Sequence, residues 1–229
     1  MTRAYLSAEA RREQILDCAQ HLFFTKGYEA TTVQDLMLAA GVSKGGFYHH
    51  FGAKEDVLQA LNARLAAVSV SVLETVMAWP GLTAFEQLNQ SLRGLRHFKR
   101  ETASGLVAAF ETLMRPENIA LYERIRRTNI QTVLPYFEKI IEAGQQDGSF
   151  NVPNARVAAE AVLSLGSMSH ETVAAALAAR GQDRAAANKA LQEAMTFQGV
   201  IIDRILGMPD GSIEFVEPGY VDALLPIED

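Results

Sequence analysis

Between Lys44 and Lys54 the chain sets Tyr48, His49 and His50 around Phe47 and Phe51. The two phenylalanines stand four residues apart, so on a helix both face one way, while Lys44, Tyr48 and His49 fall on the other side. An ammonium, a phenol and an imidazole presented together suit phosphate oxygens and base edges, which makes recognition of nucleic acid the chemistry this stretch can do. Metal binding is the rival use of the histidines. Neighbours on a helix point about 100° apart, and no third ligand lies close in sequence, so His49 and His50 do not form a metal site. Taken singly, Lys44 and Lys54 read as solvated charges, and Thr32 and Ser43 as helix caps. Their order and spacing favour the nucleic-acid reading.

The elements that must position these groups follow from periodicity and caps. Ile15, Ala19, Leu22 and Phe23 recur at helical spacing between Ala8 and Lys26, and Gly27 stops that helix. Thr31 or Thr32 caps a second helix, with Gln34 and Asp35 at capping-box spacing and Val33, Leu36 and Met37 facing inward. Gly41 suits a left-handed turn, Val42 fills the angle, and Ser43 caps a third, short helix to about His50. A fourth helix runs from about Ala53 to Met77, where Trp79-Pro80-Gly81 breaks the pattern. Beyond it the periodicity predicts helices at about 84–99, 104–114, 117–144, 154–179 and 184–206, with Pro135 kinking the third of these. No strand pattern emerges. The fold class is therefore all-α with about nine helices, divided into a head at 1–52 and a larger helical domain at 53–229. The tail from Met208 to Asp229 reads as irregular.

Composition narrows the function. The 229 residues carry a net charge of −6, 48% hydrophobic and 21% charged residues, and one cysteine, Cys18. That excludes an intramolecular disulfide framework and makes Cys18 a small buried hydrophobe. A chain without a leader-like start or an apolar run of about 18 residues is expected to be soluble and cytoplasmic. The first fifty residues balance five basic residues (Arg3, Arg11, Arg12, Lys26, Lys44) against five acids, so the acidity belongs to the remainder. A neutral head depends on a few well-placed contacts rather than on a broad positive field. No GxSxG, P-loop, dinucleotide fingerprint, HExxH or cysteine pair occurs, so neither enzymatic activity nor a cofactor or metal is expected.

The run Thr31-Thr32-Val33-Gln34-Asp35-Leu36, then Ala40-Gly41-Val42-Ser43-Lys44-Gly45-Gly46-Phe47-Tyr48-His49-His50-Phe51 and Lys54-Glu55, resembles the DNA-binding signature of TetR-family regulators. The preceding Phe23-Phe24 and Gly27-Tyr28 belong to the same pattern, and the resemblance covers about residues 10 to 60. It implies that the third helix enters the major groove and that the second and third helices aim their N-termini at phosphates. Thr32 and Ser43 then contact the DNA backbone, Lys44 and Tyr48 meet phosphate or base edges, His49 reads a base edge, and Lys54 binds phosphate. Members of the family often carry a small hydroxylated or methyl residue at the position of Gly46, so this chain makes one base contact fewer there.

The resemblance further implies a ligand-responsive repressor that binds a palindromic double-stranded operator as a homodimer, with a small apolar or amphipathic effector. The last two long helices then form the dimer, through Val162, Leu165, Leu191, Phe197, Ile201 and Ile205. Candidate cavity residues are Phe98, Phe110, Met114, Tyr122, Phe137 and Met168, with His170 as a polar handle; each also reads as core packing. The alternative is a helical ligand-binding or adaptor protein whose head is vestigial.

Overall fold

The computed structural model describes residues 7–101, 119–165, 184–214, 216 and 221. Seven helices have defined ends: α1 (Ala8–Thr25), α2 (Val33–Ala39), α3 (Lys44–His50), α4 (Lys54–Met77), α5 (Ala84–Glu101), α6 (Ile119–Asp147) and α8 (Arg184–Ile205). Between the last two, α7 is helical from 155 to 165. No strand occurs among the described residues. The expected helix at 104–114 and the second half of 154–179 lie outside them.

Two compact units divide the chain. The first comprises Met1–Ala66 with Ala108–Thr128, and the second Ala67–Val107 with Asn129–Asp229. The expected boundary after residue 52 therefore falls too early. Val57, Leu58 and Leu61 of α4 are buried in the head's own core, with Leu65 and Ile125 packed beside them. Without that helical wall, α1, α2 and α3 lack a surface to close against.

In the first unit, Ser7 starts α1 by accepting the amide of Ala10 at 3.1 Å. Ile15, Leu16, Ala19 and Phe23 then form its buried stripe. Both α2 and α3 have only seven residues, too few to persist alone in water. Leu36 and Phe47, each fully buried, anchor them to the common core, and each large apolar side chain so buried contributes about 1.5 to 3 kcal/mol. Cys18 is half-buried rather than buried; burial, then the charge of Asp17, pushes its thiol pKa up.

The second unit has its own core, built from Leu73 of α4, Leu88 of α5, Val133, Phe137, Ile140 and Ile141 of α6, Ala159 and Val162 of α7, and Ile202 of α8. A Cβ at Gly94 would stand 2.6 Å from Val72 Cγ1, so α4 and α5 approach closely there. Pro135 lies inside α6, which continues through it. The tail after α8 contains no helix at 208–214, as expected, but Val221 further on is helical and buried, and the tail is pinned. Asp203, fully buried, accepts the amides of Gly211 (2.7 Å), Ser212 (3.0 Å) and Ile213 (3.0 Å). Arg204 adds a two-pronged bridge to Asp210 at 3.0 and 2.7 Å.

Among the described residues, α4 alone is long and apolar enough to cross a membrane. Its first turns are instead committed to the head core through Val57, Leu58 and Leu61.

Candidate nucleic-acid interface

The interface is built on two caps and one turn. At the start of α2, Thr32 Oγ1 accepts the amide of Asp35 at 3.1 Å, and Asp35 Oδ2 accepts the amide and the hydroxyl of Thr32, each at 2.8 Å. The expected capping box is thus present with Asp35 as its acid. Lys26 donates to the same Oδ2 at 2.7 Å. Lys26 first, then the Thr32 donors, hold the Asp35 carboxyl well below the usual carboxylate range.

The turn follows from Gly41, whose φ of +60° is the left-handed conformation that favours glycine. Val42 closes it, its amide donating to Met37 O at 3.0 Å, while its side chain packs on the head core. Ser43 then caps α3 by accepting the amide of Gly46 at 3.1 Å.

On α3 the two sides separate as the spacing predicts. Phe47 and Phe51 are buried, whereas Lys44, Tyr48 and His49 are exposed. Tyr48 keeps 48% of its surface free, and its ring rests edge-on against Phe47 with centroids 5.5 Å apart. Such a ring is held in place from behind and open in front. Ser43 and Thr32 are exposed at the two helix starts. A Cβ on Gly46 would meet Ser43 Oγ at 3.3 Å, while one on Gly45 would meet nothing within 4 Å. The glycine pair therefore does not serve a close approach to a neighbouring helix at position 45.

Lys54 is placed differently from its companions. Its ammonium donates to the carbonyls of Tyr28 (2.8 Å) and Thr31 (3.0 Å) and sits 4.1 Å from the centre of the Tyr28 ring. It braces the α1–α2 connection, and its charge stands behind the N-terminus of α2. Tyr28 donates to Glu55 at 3.0 Å and packs edge-on against Phe23. Burial and the Glu55 bond push its phenol pKa up to about 12.

Of the candidate effector residues, the described side chains are those of Phe137 and Tyr122. Phe137 is fully buried in the core of the second unit, and Tyr122 belongs to the first unit, its phenol pKa raised by burial. Phe98 lies on α5 with its side chain outside the described residues, as are Phe110, Met114, Met168 and His170 altogether. What periodicity could not reveal is a set of buried polar atoms without a hydrogen-bond partner on the apolar stripes: Asn62 Oδ1, Ser91 Oγ and Asn129 Oδ1. Among the described residues, no group of three or more His, Cys, Asp or Glu could hold a metal ion.

The expected dimer residues divide. Val162, Leu165 and Leu191 are buried within the protomer, so they fill its own core and present no face to a partner. Ile201 and Ile205 are half-buried against that core. Phe197 is 59% exposed, and so is Val157 at 60%, an apolar residue of α7 outside the expected interface set.

A chain whose described residues form helices and no strand, and whose head carries a capped helix-turn-helix with Lys44, Tyr48 and His49 outside and Phe47 and Phe51 inside, is a DNA-binding transcriptional regulator. Residues 15–61 match the family model of the bacterial regulatory proteins, tetR family. The transcriptional repressor DhaR of Mycobacterium sp. (strain GP1) is 30% identical over 148 residues, covering 60% of this chain and 69% of DhaR. The repressor KstR2 of Rhodococcus jostii (strain RHA1) is 45% identical over 51 residues, covering 22% of this chain and 25% of KstR2. The solved SmeT–triclosan complex has the same fold, with a TM-score of 0.60 at 20% identity, covering 91% of this chain and 98% of that one. The chain belongs to the tetR family.

Proposed function

We propose that the protein is a homodimeric repressor that occupies a palindromic operator in the cytoplasm and leaves it when a small apolar or amphipathic molecule enters its second unit. The observation that carries the DNA reading is the sorting of α3: an anchored aromatic pair on one side, and Tyr48, His49 and Lys44 free on the other. In this reading Lys44 and Tyr48 meet phosphate or base edges, and His49 reads a base edge. Ser43, Thr32 and Gly46 lie where backbone and groove come close. Lys54 contributes mainly as a positioning residue, since two of its donors are committed to carbonyls.

One seven-residue helix reads few base pairs, so useful specificity needs two heads about 34 to 36 Å apart on one face of the duplex. The groups best suited to meet a second copy are Phe197 of α8 and Val157 of α7, large apolar side chains each left open to solvent. Release follows from a two-state equilibrium in which the effector prefers a conformation with wrongly spaced recognition helices. The helix α4, with residues in both units, is the element that carries the shift.

Selection of bound genomic fragments by the purified protein supplies the operator, and anisotropy on that duplex tests the assignment. Tyr48→Ala is expected to weaken binding about tenfold or more, a good base-edge contact contributing about 1 to 3 kcal/mol, while the protein stays folded, losing only the edge contact with Phe47. Undiminished affinity would remove Tyr48 from the interface. Affinity for every duplex that is insensitive to salt would instead favour an adaptor with a vestigial head.

A further inference from the structure

The charges of α1 sort by flank. Glu13, Asp17 and Gln20 share one side, and Arg64 of α4 spans them, at 3.2 Å to Glu13 Oε2, 2.7 Å to Asp17 Oδ1 and 2.6 Å to Gln20 Oε1. At about 100° per residue, Arg11 is turned roughly 200° from Glu13, onto the opposite flank. Its guanidinium bonds only the neutral amide of Gln14, at 2.7 Å, among the contacts described for it. Arg12 lies over the ring of Phe51, 5.4 Å from its centre, which carries it to the end of α3, and it touches Glu13 Oε1 at 3.3 Å. His50 directly precedes Phe51, the residue Arg12 covers, and the charges of Arg12 and Arg11 bear on its imidazole.

We propose that this corner, Arg11 and Arg12 of α1 with His50 of α3, is a second phosphate-binding site that holds the DNA backbone beyond the end of the recognition helix. Two guanidinium groups offer planar donor forks matched to phosphate oxygens, and a protonated imidazole adds a further N–H. The arrangement also bears on how a head of balanced charge grips a polyanion: Arg64 engages Glu13 and Asp17, Arg12 shares Glu13 with it, and Arg11 on the opposite flank is left to act. Glu9 is the carboxylate that opposes them at His50.

A consequence concerns protons. Burial first, then His49, Arg12 and Arg11, hold His50 below the usual histidine value, so the free protein leaves it largely neutral near pH 7. A phosphate beside it favours the charged form, so DNA binding takes up a proton and affinity rises as pH falls from about 7 to 5.5.

The inference rests on the head binding duplex DNA, and the test separates the two. Binding of the full chain to the selected operator duplex and to an unrelated duplex is followed by anisotropy across salt and pH, with unfolding temperatures measured beside it. Arg11→Gln is expected to reduce the slope of log affinity against log salt by about one per protomer on both duplexes, and Arg11→Gln with Arg12→Gln by about two. The ratio of operator to unrelated binding stays as it was, since phosphate contacts carry no sequence. His50→Gln flattens the rise in affinity at low pH, whereas His49→Gln lowers affinity for the operator more than for the unrelated duplex. Should the arginine pair disturb Phe51 and unfold the head, Arg11→Gln alone decides, because its side chain holds nothing in the core. Wild-type slopes in the arginine variants, with both duplexes still bound, would overturn the second site alone. Salt-insensitive wild-type binding to either duplex would overturn the DNA reading and this inference together.

Discussion

Gly45 is the residue on which structure and function make opposing demands. It lies inside α3 with nothing within 4 Å of where a Cβ would stand, so the protein itself has no use for the missing side chain. A glycine inside a helix costs about 1 kcal/mol relative to alanine. Gly45→Ala is therefore expected to raise the unfolding temperature by about 2 to 4 °C. If the groove closes over this side of α3, the added methyl meets DNA and operator affinity falls several-fold. Calorimetry and anisotropy on the same sample test both halves, and a variant that is more stable and binds as tightly would take Gly45 off the DNA face. At this scale much was legible beforehand. Phe47, Phe51, Lys44, Tyr48 and His49 obey the helical period, and period alone separates their sides. Lys54 was not legible as a brace, because its partners are backbone carbonyls of Tyr28 and Thr31, and carbonyls leave no mark in a sequence.

Among the elements, α2 depends most on a few side chains. Seven residues with one fully buried anchor, Leu36, hold together through the Thr32–Asp35 box and the bridge from Lys26. The bridge is partly exposed and is weakened by solvent and salt, so the box contributes more. Asp35 has its carboxyl depressed in the folded protein. The stability it adds is therefore fully present above the unfolded carboxylate value of about 4 and is lost as pH falls below it toward the depressed folded value. Asp35→Asn is expected to lower the unfolding temperature of the head by a few degrees at neutral pH. The gap to wild type should narrow progressively below about pH 4. A gap that stays constant down to pH 2 in a thermal melt series would show that the charge plays no part. Element boundaries followed the sequence closely here, since caps and breakers are local chemistry: Ser7, Thr32, Ser43, Gly27 and Gly41 each stand where a helix starts or ends. The tail did not. Its composition reads as loop, and only the fold brings Asp203 of α8 beneath the amides of Gly211, Ser212 and Ile213.

For the molecule as a whole, the proposed homodimer turns on which apolar residues of α7 and α8 serve the protomer and which are left for a second copy. Helical period marks both groups alike, because it registers that a side is apolar and not what covers it. That is why Val162, Leu165 and Leu191 resembled interface residues in the sequence and prove to be buried in the protomer. Phe197 and Val157 remain open. An interface across a two-fold axis counts each side chain twice, so removing Phe197 from it is expected to weaken the dimer by about 3 to 6 kcal/mol, at about 1.5 to 3 per buried side chain. Phe197→Glu should therefore sediment as a monomer at micromolar concentration, keep its unfolding cooperativity, and lose affinity for a palindromic operator while retaining weak binding to unrelated DNA. Leu191→Ala should do the reverse: lower the unfolding temperature by leaving a cavity, with the dimer intact at low temperature. A Phe197→Glu protein that still sediments as a dimer would place the two-fold contact on another face of the second unit, whereas a wild-type protein that sediments as a monomer would remove the proposed dimer.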